Sequence, residues 1–390
     1  MTPRPLTENR TTHVTTGTVT AAAPRTEERT MSTQHSSTTP ASTPAGAGRA
    51  MRRAVAEPSV GVRVEESPVP VPAAGEVLVR STLVGICGSD THALAGHHPF
   101  LTAAYVPGHE ATGVVVAPGP QADRFAVGQR VLLKPNVACG ACVNCLAGRT
   151  NACETLRWIG CDPSRELSGA MADYFVAPQH NLYAVPDSLT DEAAALVECL
   201  ATPVHAARIA GDLTGSRVVV LGAGTIGVLS VVAALRAGAA AVVVTDMEQS
   251  KIDRAVRVGA AGGALASAVD VDVRVTAALG GPADVVFDCV ANERSLAQAV
   301  RLLRRAGTLL VVGVPPRPGS LDLPNLQDRE IRVQGCAAYT EADIETSIEI
   351  ARDGALPTAE IVSATYPLDD VAAAFERAAA DSSGKVLVSP

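Results

Sequence analysis

Four of the nine cysteines in this 390-residue chain stand in one short stretch, Cys139-x2-Cys142-x2-Cys145-x7-Cys153. Four thiols so spaced can converge tetrahedrally, and short Cys-x2-Cys turns leave backbone N–H groups free to stabilise thiolate charge. A closed four-sulfur site has no open position, so a structural zinc ion is the expected occupant. An iron–sulfur cluster uses comparable ligands, and reduced core cysteines are the plainest alternative. The stretch is rich in Gly, Ala and Asn and reads as a loop, where idle thiols would be a liability.

A second constellation lies at 217–246, RVVVLGAGTIGVLSVVAALRAGAAAVVVTD. The apolar run 218–221 suits a strand covered on both faces. The turn that follows carries Gly222, Gly224, Ile226 and Gly227, the G-x-G-x-x-G of a dinucleotide site. Gly222 serves a tight turn, Gly224 the approach of backbone to a pyrophosphate, and Gly227 close packing of helix on strand. Unpaired N–H groups and the helix dipole favour an anion there. With 33 glycines in the chain the motif alone is weak. Asp246 strengthens it, because it ends the next strand 19 residues after Gly227, near the roughly 20 expected of a carboxylate that accepts from a ribose 2′-OH. The same carboxylate would repel a 2′-phosphate, so NAD is expected rather than NADP.

A third set is dispersed: Cys87 in GICGSDTH, His109 in VPGHE, and Glu198 in LVECLATPVHA. Singly, each suits a core thiol, a satisfied histidine or a helix cap.

Around these residues the chain changes texture. From Met51, short alternating runs separated by Gly and Pro (52–56, 60–65, 76–84, 111–117, 130–133, 171–176) read as an antiparallel, partly barrel-like β domain. From about Val204, strand candidates at 217–222, 241–246, 262–266, 284–290, 307–313 and 331–336 alternate with helical segments. That rhythm gives a doubly wound parallel sheet, with ligands bound off the carboxyl ends of its strands. Two amphipathic helices, 341–352 and 368–380, and a last strand at 385–388 are expected to return to the first domain. The domains expected are thus 51–203, 204–337 and the returning 338–390.

Composition narrows the function. A net charge of −8 without a basic cluster argues against a nucleic-acid partner. No stretch reads as a membrane span. Nine cysteines without a secretory signal point to metal or thiol chemistry in a reducing compartment, taken as the cytoplasm. Only Lys134, Lys251 and Lys385 are lysines among 32 basic residues, an arginine bias that resembles a GC-rich coding sequence.

GICGSD, GHE before a strand, FAVGQRV, the four-cysteine loop and GAGTIG with Asp246 stand in an order that resembles the zinc-dependent medium-chain alcohol dehydrogenases. The likeness runs from Met51 to the C terminus and is strongest to the sorbitol and polyol branch. It implies an α/β fold, a Rossmann domain beside a GroES-like β domain, and a catalytic zinc held by Cys87, His109 and Glu198 besides the structural one. The branch has a VEPLA-like segment where this chain has VECLA, so Cys199 stands as the alternative third ligand. The resemblance also implies a proton relay through Ser89 and His92, with Asp90 orienting a ligand and Glu110 beside the metal or entering its coordination. The activity implied is transfer of hydride from a secondary alcohol to NAD, by a homodimer or homotetramer. Threonine-type or simple-alcohol oxidation and a non-catalytic binding protein are the other readings. His97, His98 and Phe100 form a loop that could line a substrate mouth, and Trp158 follows the four-cysteine loop, with ordinary surface or packing the alternative for each; Cys161, Cys289 and Cys336 read as core or incidental thiols.

Residues 1–50 hold 14 threonines and few large apolar side chains, too little to offset the entropy of ordering them. They are expected to be a disordered leader without an h-region. A chain starting at Met51 should therefore keep its activity, and loss of turnover on that truncation would contradict the reading.

Overall fold

The computed structural model describes residues 49–98, 101–314, 317–380 and 384–390. The expected leader, but for its last two residues, and Phe100 lie outside these. Two sheets carry the fold. The first is mixed and partly barrel-like, with strands in the order Val362–Pro367, Lys385–Ser389, Glu76–Gly85, Glu110–Pro118, Arg130–Leu133 and Leu182–Ala184. Tyr174–Pro178 pairs separately with Glu76–Gly85. Ala50–Glu57 and Gly61–Pro68 form an antiparallel hairpin beside it.

The second sheet is wholly parallel. Its order is Gly262–Leu265, Ala241–Asp246, Arg217–Leu221, Ala283–Asp288, Leu303–Val311 and Arg332–Gly335. In chain rank this reads 3-2-1-4-5-6, the Rossmann order. Val218, Val219, Val220, Val242, Val243 and Val244 are all fully buried, as expected of strands covered on both faces. The order reverses between Arg217–Leu221 and Ala283–Asp288, and the glycine turn sits at that switch point. Gly222 has φ +90°, and a Cβ on Gly227 would stand 1.8 Å from the Gly222 carbonyl oxygen. No other residue fits either place without backbone movement. Gly224 needs no left-handed backbone: it caps the helix Thr225–Arg236 with φ −66°.

The segment after Ala337 divides. Val362–Pro367, Lys385–Ser389 and the helix Val371–Ala380 join the mixed sheet and its core through Leu368, Val371, Phe375 and Val388. The helix Glu341–Arg352 does not go with them. Its Ile344, Ile350 and Ala351 pack into the core of the parallel sheet, against the long helix Val197–Ala210. Ile344 and Ala351, seven residues apart, share one helical face. Among the described residues no helix is long and apolar enough to cross a membrane.

Asp343 fastens that helix. Its carboxylate accepts from Thr340 N at 2.8 Å and Thr340 Oγ1 at 2.8 Å, and from Arg208 Nε at 2.7 Å, while His205 Nδ1 lies at 2.8 Å. Burial pushes this carboxyl up, but the bonds from Arg208, His205 and Thr340 outweigh it and hold it well below the usual carboxylate range. A depressed folded-state pKa contributes stability above the unfolded pKa and loses it as pH falls through the folded value. Asp343→Asn should therefore cost about 2 kcal/mol at pH 7. In urea unfolding at several pH values, the gap from the parent chain should begin to close below about pH 4 and keep shrinking as the pH falls toward the folded-state value.

Candidate metal and dinucleotide site

The mixed sheet supplies the first half of the site. Glu76–Gly85 ends at the start of a short turn, and Cys87 precedes the helix Gly88–Leu94. The neighbouring strand Glu110–Pro118 begins directly after His109. Antiparallel pairing sets Gly85 opposite Glu110, and a Cβ on Gly85 would lie 2.1 Å from Glu110 Oε2. Glycine is needed there because the carboxylate occupies the space. The sulfur of Cys87, a ring nitrogen of His109 and a carboxylate oxygen of Glu110 all lie within 4.8 Å of one another.

The other half comes from elements of the parallel-sheet core. Glu198 and Cys199 occupy the first turn of Val197–Ala210. Their ligand atoms group within 4.8 Å with Glu110. Glu198 thus meets Glu110 and Cys199, whereas the set around Cys87 and His109 is completed by Glu110. Glu198 and Cys199 both reach Glu110 from the first helical turn. Tyr339 Oη donates a short hydrogen bond to Glu198 Oε1.

The two carboxylates have opposite electrostatics. Burial pushes the Glu198 carboxyl up to about 7, with Glu110 adding repulsion and His109 and Tyr339 opposing. Burial acts on Glu110 too, but Lys385 and His109 outweigh it and its pKa is lowered. Lys385 Nζ lies 2.7 Å from Glu110 Oε1 and 2.6 Å from Oε2, and also donates to the Ile86 carbonyl at 3.1 Å. Glu110 Oε2 nevertheless accepts no well-directed hydrogen bond, although it is buried. A buried oxygen with a free lone pair beside a thiol and an imidazole is a donor set suited to zinc.

His109 is held on its far side by Cys161, whose sulfur lies 3.4 Å from Nδ1. Burial works against the imidazolium, but Cys161 and Asp90 raise the His109 pKa well above its usual value. The ligand atoms of Asp90 and Cys161 lie within 4.8 Å of His109. The hydrogen bonds of Asp90 go elsewhere: Oδ2 accepts from Cys87 N at 3.0 Å and Oδ1 from Tyr105 Oη at 3.0 Å. Asp90 therefore orders the Cys87 turn by direct bonds, and Cys161 is the direct partner of His109. Ser89 is half-buried and His92 exposed on the helix Gly88–Leu94.

The four sulfurs of Cys139, Cys142, Cys145 and Cys153 lie within 4.8 Å of one another, with Cys139 and Cys145 3.9 Å apart. Tetrahedral zinc–thiolate bonds of about 2.3 Å require sulfurs roughly 3.8 Å apart. The N–H groups of Ala141 and Cys142 point at the Cys139 sulfur and lower its pKa to about 6. Backbone N–H groups lower the Cys142 pKa as well, whereas burial pushes the Cys145 thiol up to about 12, so without an ion the lobe favours thiolate at Cys139 and Cys142 only.

At the glycine turn, Asp246 Oδ2 accepts from Ala223 N at 2.7 Å and Oδ1 from Glu248 N at 3.1 Å. A cavity of about 110 Å³ opens there, lined by Gly222, Thr245, Asp246, Met247, Asn292 and Arg294 among others. Ile226 is half-buried against the parallel-sheet core.

Sequence reasoning gave Tyr339, Tyr105 and Lys385 no role and took Cys161 for packing. Lys385 alone carried a signal. All three lysines kept in this arginine-biased chain, Lys134, Lys251 and Lys385, are buried.

Known proteins share this architecture. The family model described as the alcohol dehydrogenase GroES-like domain matches residues 73–187, and that described as zinc-binding dehydrogenase matches 225–353. Sorbitol dehydrogenase of Bacillus subtilis (strain 168) is 32% identical over 341 residues, covering 84% of this chain and 93% of its own. A solved Sinorhizobium meliloti 1021 chain bound to NADP superposes with a TM-score of 0.81 at 31% identity, over 88% of this chain and 100% of that one. An E. coli CFT073 alcohol dehydrogenase complexed with NADH gives a TM-score of 0.81 at 26% identity, with the same coverage of 88% and 100%.

The Lys385–Glu110 pair is the clearest electrostatic test of the site. Lys385→Met leaves a buried carboxylate without its cation and should cost about 3–5 kcal/mol in denaturant unfolding. Adding Glu110→Gln to that variant should recover most of the loss, because the uncompensated charge is then gone.

Proposed function

Because the chain belongs to the zinc-type medium-chain dehydrogenase/reductase family, we propose that it is an NAD-linked dehydrogenase converting a secondary alcohol of a polyol, sugar or cyclitol into a ketone. The observation that carries this reading is the convergence of Cys87, His109 and Glu110 within 4.8 Å. The sorbitol dehydrogenase similarity supports the substrate class.

Cys87, His109 and Glu110 would hold a catalytic zinc ion, with Glu198 beside it as the further carboxylate. Cys139, Cys142, Cys145 and Cys153 would hold a structural one. When bound, zinc supplies Lewis acidity to a substrate hydroxyl and NAD a hydride acceptor. The chain's own groups do the rest. Ser89 Oγ takes the hydroxyl proton and passes it outward to the exposed His92 imidazole. Asp90 keeps the Cys87 turn in place, and Cys161 fixes the orientation of the His109 ring. Lys385 offsets one of the two buried carboxylates, leaving the local charge suited to a divalent cation. Gly222, Gly224, Ile226 and Gly227 seat the pyrophosphate, and Asp246 accepts from the adenosine ribose.

The same reading assigns 51–203 with the C-terminal strands to catalysis and 204–337 to the cofactor. It pairs subunits through the cofactor domain as dimers or tetramers. None of the nine cysteines is paired in a disulfide, which is in keeping with a reducing, cytoplasmic setting.

Elemental analysis beside NAD and NADP reduction on a panel of polyols and simple alcohols tests the proposal. Two zinc ions per chain with NAD-linked polyol turnover are expected. Glu110→Gln should lose the second ion, whereas Glu198→Gln should keep it and lose turnover. One ion per chain and no turnover would identify a dinucleotide-binding protein instead.

A further inference from the structure

The four-cysteine lobe is bonded to the segment that carries Tyr339. Asn151 Nδ2 donates to the Ala337 carbonyl at 2.9 Å, and Thr150 Oγ1 donates to Glu341 Oε2 at 2.8 Å. Both residues belong to the short helical turn Thr150–Ala152, immediately before Cys153. From the segment that leads into the lobe, Lys134 Nζ lies 2.8 Å from Glu341 Oε1, and Asn136 Nδ2 donates to the Tyr339 carbonyl at 2.9 Å. Between these anchors Ala338 takes φ +52°, a conformation that an alanine adopts only when its surroundings enforce it. Tyr339 itself is 1% exposed, and its hydroxyl bonds Glu198.

A second contact runs along the same route. Trp158, in the two-residue strand Arg157–Trp158 after the lobe, stands edge-on to the His109 ring at 6.3 Å and to the Tyr339 ring at 6.2 Å. The lobe's exit strand thus separates a candidate ligand, His109, from the residue that grips Glu198. Such T-shaped contacts are directional, so displacement of Tyr339 is felt at His109.

We propose that Tyr339 is a positioning residue for the candidate catalytic metal site and that the four-cysteine lobe acts on that site through it. The inference rests on the metal reading given above. The lobe fixes the backbone of 337–341, this backbone aims the Tyr339 hydroxyl, and the hydroxyl sets which way the Glu198 carboxylate faces. On this account the lobe is more than a staple for its own loop. Its thiolates order Thr150 and Asn151, and these residues hold Tyr339 from outside.

The test uses the full chain in its zinc-loaded form, with Tyr339→Phe and the double variant Asn151→Ala/Thr150→Val. Phenylalanine keeps the ring against Trp158 and removes only the hydroxyl. The double variant keeps all four cysteines and removes the ties to 337–341. Zinc per chain, the rate of zinc transfer to a chromogenic chelator, and the emission of Trp158, the single tryptophan, are read together. Two release phases are expected from the parent chain, with the emission changing in only one. That phase should quicken about 10-fold in Tyr339→Phe, as for loss of a hydrogen-bonding group that supports a metal site from behind its ligands, and in the same direction in the double variant. The other phase should be unchanged in Tyr339→Phe.

Parent-like release from Tyr339→Phe would reduce Tyr339 to a packing residue and overturn the proposal. A quickened Tyr339→Phe with a parent-like double variant would overturn the link to the lobe. A parent chain with one zinc ion and one phase would instead sink the metal reading, and this inference with it.

Discussion

Two carboxylates, Glu110 and Glu198, are buried within reach of each other, and much of the structure answers the cost of putting them there. An ionised carboxylate taken from water without a partner is so expensive that it ordinarily neutralises instead. Here the two respond differently. Glu110 keeps its charge against Lys385, while Glu198 is pushed toward the neutral form and is held by the Tyr339 hydroxyl. Cys87, Cys161 and Cys199 add thiols, and His109 the only imidazole among the grouped ligand atoms. Such a set is acidic in excess of its single ammonium group. A divalent cation is the simplest way to balance it, and the family's zinc suits the mixture of sulfur, nitrogen and oxygen.

The same constraint accounts for where the elements meet. Cys87, His109 and Glu110 come from the mixed sheet, and Lys385 from its C-terminal strand, far away in the chain. Glu198 and Tyr339 come from the long helix and the segment packed on the parallel sheet. Neither core alone holds both carboxylates, so the site exists only where the two cores join. The helix Val197–Ala210 makes the join: its Leu200 and Ala201, with Leu196 at its N-cap, share a hydrophobic cluster with Leu132 of the mixed sheet and Val218 of the parallel one.

Lysine placement shows how strongly partner geometry selects residue type. In a chain that prefers arginine, Lys134, Lys251 and Lys385 are all buried. A compact ammonium on a flexible stem can sit against two carboxylate oxygens and a carbonyl in a space that a planar guanidinium does not fit. Lys385 reaches Glu110 and the Ile86 carbonyl in this way, and Lys134 sits against one Glu341 oxygen and the Asn136 carbonyl.

Several features are legible in the sequence because they are local. The four cysteines span 15 residues, so their convergence needs only tight turns. The glycine turn and Asp246 belong to one strand–helix–strand unit, whose period shows in the unbroken valines. The alternation of strand and helix likewise determined the wound sheet, since right-handed crossovers leave few ways to order its strands. Distance along the chain hid the rest. Nothing around Lys385 says that its strand will lie beside Glu76–Gly85 and bring an ammonium to Glu110. Nothing around Cys161 or Tyr339 names His109 or Glu198 as neighbours. Which carboxylate joins Cys87 and His109 was equally out of reach, because the first turn of a helix shows its residue types but not its rotation against a partner sheet. Residue chemistry and short-range geometry could be read from the chain; the pairing of buried charges was decided only by how the two cores packed.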